Sequence, residues 1–132
     1  MHQEDNQVSS CMNLSDNGLL KIKVNEVMQE AKVDVPDINH FIRAISQYCG
    51  SVARPFLIDL RDIDGSVEVE ASRLFASSPE MANVRLAQAF VVNSLSIRLL
   101  VNFYIRVHQP NCPSQVFSDV EEAEGWLSKY LN

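Results

Sequence analysis

Polar and apolar positions alternate over residues 20–24, where Leu20, Ile22 and Val24 are separated by Lys21 and Lys23. That period of two marks a strand with one buried and one wet face. Residues 8–14 and 19–24 flank Ser15-Asp16-Asn17-Gly18. Asn-Gly supplies the positive φ angles of a tight turn, so the segment predicts a β-hairpin. Residues 25–34 fit two readings: Val27-Met28 and Val33 extend the strand, or residues 26–31 form a helical turn. From Pro36 the period becomes helical, with Ile38, Phe41, Ile42, Ile45, Tyr48 and Cys49 on one face. Pro36 suits the first turn of that helix and Gly50 its C-terminal cap.

The apolar run Pro55-Phe56-Leu57-Ile58-Asp59-Leu60 predicts a strand covered on both faces. A second helix follows over about residues 66–78, with Val67, Ala71, Leu74 and Phe75 inward, and then a strand over about 86–92. A third helix spans about 94–107 and is stopped by Pro110 and Pro113. Gln115-Val116-Phe117 forms a last strand, and Ser118 with Glu121 has the spacing of a capping box. The final helix buries Val120, Ala123, Leu127, Tyr130 and Leu131. The order is a hairpin followed by αβαβαβα, which requires crossover connections and a mostly parallel sheet. The expected fold is α/β: a disordered tail at 1–6, then one domain over 7–132 with a mixed sheet of about five strands.

Composition narrows the function classes. Of 132 residues 46% are hydrophobic and 21% charged, and 11 Lys and Arg against 17 Asp and Glu leave a net charge of −6. Such a balance disfavours nucleic acid and anionic membrane surfaces as partners. Cys11, Cys49 and Cys112 form no C-x-x-C pair, and residues 1–7 lack the basic and apolar regions of a secretion signal. Both features point to a cytoplasmic protein in a reducing compartment. The most apolar stretch, residues 86–107, is interrupted by Gln88, Asn93, Arg98, Asn102 and Arg106. It reads as core, not a membrane span.

Candidate chemistry is sparse. Asp59, Asp62 and Asp64 lie at and after the carboxyl end of a central strand, where open α/β sheets place ligands. The string from Asp62 to Ser66 copies a haloacid-dehalogenase phosphatase motif, but no later Asp-Asp pair follows it for magnesium. Turn propensity and helix N-terminal charge explain these acids without catalysis. His2, His40, and His108 with Cys112 do not close a metal site, so neither metal nor cofactor is expected. Cys49 falls on a buried helical stripe and reads as an inert core thiol.

One segment departs from the rest. Residues 81–118 contain no acid and carry Arg85, Arg98, Arg106 and His108, which gives a basic docking surface as one reading. Within it Arg98, Asn102 and Arg106 step by four, each step turning about 40° on a helix. The remaining apolar positions, among them Leu95, Leu99, Phe103 and Tyr104, spread wider than one sheet contact buries. This predicts a homodimer with Leu95, Arg98, Leu99, Asn102, Tyr104 and Arg106 at the interface.

The element order, together with Leu57-Ile58-Asp59-Leu60-Arg61, residues 71–77, Asn102-Phe103-Tyr104, Pro110-Asn111-Cys112-Pro113, Val116-Phe117-Ser118 and residues 123–127, resembles the STAS or SpoIIAA-like anti-sigma-factor antagonist fold, and within it an uncharacterised bacterial subgroup. The resemblance implies a non-enzymatic regulatory or protein-interaction domain with a protein partner. Its better-known members are switched by phosphorylation of a serine that opens the second helix. Ser66 occupies the similar place here, although Asp64-Gly65-Ser66 does not reproduce that motif. A small apolar-ligand or lipid-binding domain of the same fold is the alternative. A metal-dependent phosphoryl-transfer enzyme using Asp59, Asp62 and Asp64 ranks below both.

Overall fold

The computed structural model describes residues 8, 10–27 and 30–131; the expected tail at 1–6 lies outside the described residues. Strands β1 (Met12–Leu14) and β2 (Leu20–Lys23) form the hairpin, antiparallel with Met12 opposite Ile22 and Leu14 opposite Leu20. Gly18 turns it at a φ of +98°, a conformation open to glycine because it has no Cβ. After β2 neither reading of residues 25–34 holds as drawn: a 3-10 turn at Val24–Glu26 ends the strand, and Glu30–Val33 forms a separate strand, β3, instead of an extension of β2 or a helical turn over 26–31.

Helix α1 (Val35–Cys49) opens on a reciprocal capping box: Asp34 accepts from Asp37 N at 3.0 Å and Asp37 accepts from Asp34 N at 3.1 Å. Gly50 closes it at positive φ. Strand β4 (Arg54–Asp59) is buried from Pro55 onward. Pro55 cannot donate to a ladder, and the register against the next strand shifts there, between Arg54 and Pro55. Strand β5 (Asp64–Val67) pairs with β3 in a separate two-stranded parallel sheet, with Val33 opposite Val67.

The second helix is broken. It starts at Val69, not Ser66, and Pro79 divides it into α2 (Val69–Ser77) and α3 (Pro79–Val84). Ser78, before the proline, takes the extended ψ that position demands and caps α3 by accepting from Met81 N. Strand β6 (Arg85–Val91), helix α4 (Leu95–Phe103), a π turn at Tyr104–His108, strand β7 (Ser114–Phe117), helix α5 (Val120–Leu127) and a 3-10 turn at Ser128–Tyr130 complete the chain. The α5 cap is Asp119, one residue later than expected, while the Ser118 hydroxyl accepts from Arg98.

The main sheet runs β1-β2-β4-β6-β7, parallel except for β1. Alternation in β4 and β6 separates two cores. Phe56, Ile58 and Phe90 face α1 to α4, whereas Leu57, Ala87, Ala89 and Val91 face Ala123 and Leu127 of α5.

Candidate functional site

The aromatic face of the sheet does not close completely. Ile22, Ile58 and Phe90 of the sheet, Ile38, Phe41 and Ile45 of α1, Phe75 of α2, and Leu100, Val101 and Tyr104 of the α4 segment surround an apolar hollow of ≈ 130 Å³. Its remaining wall comes from the small sheet, where Val33 and Val67 stand opposite each other. Ser72 and Tyr104 are among its lining residues, yet the surface facing the hollow is almost wholly apolar. A hollow of this character is large enough for a small aromatic molecule: an engineered cavity of about 150 Å³ lined by aliphatic and aromatic groups stays dry and takes up benzene.

A buried polar network fixes Tyr104. The Gln88 amide nitrogen donates to Tyr104 Oη at 3.2 Å and to Ser114 Oγ at 2.9 Å, and its oxygen accepts from Arg85 Nη1 at 3.1 Å. Arg85 Nη2 donates to the carbonyls of Phe75 and Ala76 and to Asn111 Oδ1. The guanidinium thereby satisfies carbonyls at the C-terminal end of α2, where a cation is favoured. It also stands 4.9 Å from the centre of the Phe75 ring. Arg85 is 3% exposed, so it does not belong to the basic surface that the acid-free segment suggested. Burial pushes the Tyr104 phenol above its ordinary value, with Arg85 and the Gln88 bond opposing. The cavity wall is therefore neutral.

A second depression, ≈ 380 Å³, lies at the carboxyl ends of β2 and β4 and is lined by Lys21, Lys23, Glu26, Asp59 and Arg61 among others. Three of the charged groups there have partners within the chain: Asp59, Arg61 and Lys21. Arg61 grips Asp59 through Nε at 3.0 Å, Nη2 at 2.8 Å and its backbone N–H at 3.0 Å. Burial alone would raise the Asp59 pKa, but these bonds from Arg61 hold it below the ordinary value. Lys21 pairs with Glu124 at 3.0 Å.

The three strand-end acids are not assembled into one site. Asp59 is taken up by Arg61; Asp62, in the left-handed region at φ +61°, exchanges hydrogen bonds with the Asn93 side chain; and exposed Asp64 belongs to β5. Among the described residues no group of three His, Cys, Asp or Glu is placed to hold a metal ion. Ser66 is exposed in β5, two residues before the Glu68 cap of α2. It has no helix terminus behind it, because the Asp64-Gly65-Ser66-Val67 backbone pairs with β3 instead. Cys11 and Cys49 are buried thiols, Cys11 pushed up to about 11 chiefly by burial.

Along α4 the expected interface residues separate. Leu95, Leu99, Phe103 and Val107 are 53–72% exposed on one side of the helix, Arg98 and Asn102 are half-buried, and Arg106 is exposed. Tyr104 is not on that surface: it is 6% exposed and turned into the core against Phe90. Phe103 and Val107 complete the exposed row instead.

The sequence profile of the domain of unknown function DUF7793 matches residues 12–131. The chain belongs to the DUF7793 family. No curated protein matches this DUF7793 domain. Among solved structures it is similar to an uncharacterised DUF3478-family protein with a SpoIIAA-like fold from Shewanella loihica PV-4, at TM-score 0.58 and 15% identity, covering 88% of this chain and 90% of that one. At that identity the likeness shows the fold, which is SpoIIAA-like. A protein of unknown function from Arthrobacter sp. FB24 aligns over 92% of this chain and 94% of its own at 20% identity, with a TM-score of 0.32 that supports no argument. Among the described residues no helix of the domain is long and apolar enough to cross a membrane.

Proposed function

We propose that this DUF7793 domain is a non-catalytic binding module that holds a small apolar molecule, or the apolar part of a larger one, between the sheet and helices α1, α2 and α4. The observation that carries the reading is the hollow itself, lined almost wholly by the apolar surface of aliphatic and aromatic side chains. Small-molecule sites are concave and lined predominantly by hydrophobic and aromatic side chains. The non-catalytic part rests on the acids, since Asp59 and Asp62 are engaged by Arg61 and Asn93. Toluene tests it: added ligand should raise the unfolding temperature of the natural protein, and Val101→Phe, which fills the hollow, should abolish the rise while staying folded. No rise in the natural protein, with no apolar molecule recovered by solvent extraction of freshly purified material, would overturn the reading.

A second reading is a regulatory domain with a protein partner, as the STAS resemblance implies. In it Ser66 is an exposed hydroxyl open to a kinase. Intact mass of protein from the native host carrying no phosphate across growth conditions would count against that switch.

A further inference from the structure

Among the described residues seven large hydrophobic side chains are exposed, and four of them, Leu95, Leu99, Phe103 and Val107, lie on the one α4 segment. Scattered exposed apolar residues are normal, but a contiguous row marks an interface. Spacing by four makes the row an unbroken ridge, each step turning only about 40°. The π turn at Tyr104–His108 keeps Val107 on the exposed side while Tyr104 enters the core.

Charge at the two ends of this row selects its occupant. At the N-terminal end, Asp62 is tied to Asn93, the residue before the Ser94 cap, and Asp119 follows Ser118, which receives Arg98. Asp62 and Asp119 both act on Arg61 there, and Arg61 is itself neutralised by Asp59. With Arg98 counted, that end is net acidic. The C-terminal end carries exposed Arg106, with His108 behind it. An acidic partner would suit one end and be repelled by the other; an anionic surface would meet the same conflict. A second copy in antiparallel orientation satisfies both, because each basic end meets the partner's acidic end and the helix dipoles oppose.

We infer that the exposed face of α4 binds a second copy of this chain about a two-fold axis passing between Leu99 and Phe103. Each Leu99 then packs on the partner's Phe103, and Leu95 lies towards the partner's Val107. Such an isologous contact uses one patch twice. It is independent of the cavity reading, since these four side chains point away from the hollow.

Sedimentation equilibrium tests the proposal, with a dimer expected at about 100 μM, where even a weak association of micromolar range registers. The double variant Leu99→Glu, Phe103→Glu should be monomeric throughout and keep its circular dichroism spectrum, since both positions are exposed. Arg106→Glu should weaken the dimer about tenfold and reverse the effect of added salt, as a charge at an interface rim does. A monomer for the natural protein, or a dimer unchanged in the folded double variant, would overturn the proposal. Monomeric protein that floats with phosphatidylglycerol vesicles through Leu99 and Phe103 would overturn it too, by assigning the face to a membrane.

Discussion

The two faces of the sheet are packed by opposite means. Below it α5 and the turn that follows it cover the core, and the contact is built from Ala87, Ala89 and Ala123, whose small side chains let the helix approach until Leu127 and Phe117 close the layer. Above it four helices are held off by Phe41, Phe56 and Phe90. Large rigid groups at that distance cannot interdigitate everywhere, and the hollow between Ile45, Phe90 and Val101 is what they leave. Binding space in this fold follows from residue size on one strand: β6 sends Ala87, Ala89 and Val91 downward and Gln88 and Phe90 upward.

The largest expected effect is on the close-packed side. Leu127→Ala should cost about 2–5 kcal/mol in chemical denaturation, because Leu127 is fully buried. Substitution toward larger residues sharpens the contrast. Ala89→Leu should destabilise by about 1–3 kcal/mol, whereas Val101→Leu, which grows into the hollow, should be neutral or stabilising by up to about 1 kcal/mol. Equal costs for the two would show that both sides of the sheet are packed alike.

Much of this architecture is legible in the sequence, and the parts that are not share a cause. The hairpin and α1 carry unmixed periods of 2 and 3.6, β4 is a short continuous apolar run, and punctuation is strong at Gly18, Pro36 and Gly50. The small sheet does not. Asp64-Gly65-Ser66 has turn chemistry, and its strand character comes only from pairing with β3, a contact made across thirty-four positions of chain. The same pairing takes Ser66 away from the helix start and supplies Val33 and Val67 to the cavity wall. Tyr104 belongs to the core because it follows buried Ile97 by seven positions and Val101 by three, which puts all three on one helical face; the apolar breadth of the segment hides that face. Arg85 read as surface charge because nothing local announces that Phe75, Ala76 and Asn111 supply its acceptors.

The smallest expected effect concerns the strand-end acids. The folded pKa of Asp59 is lowered, so its ionised form contributes stability above the ordinary carboxylate range of about 4, and that contribution is lost as pH falls through the lower folded value. Arg61→Ala should cost only about 1 kcal/mol at pH 7, since Arg61 is partly exposed. It should also move the acid unfolding transition to higher pH, because burial then acts on Asp59 with less opposition. An acid transition unchanged in Arg61→Ala would show that Arg61 does not hold the carboxylate.

Whether the aromatic side of the sheet encloses a dry apolar site is measured most directly by xenon. Crystals of the natural protein under xenon pressure should show the gas bound between Ile45, Phe90 and Val101, as it binds in apolar cavities of this size. A hollow filled by ordered water, or collapsed with no xenon in it, would contradict the account.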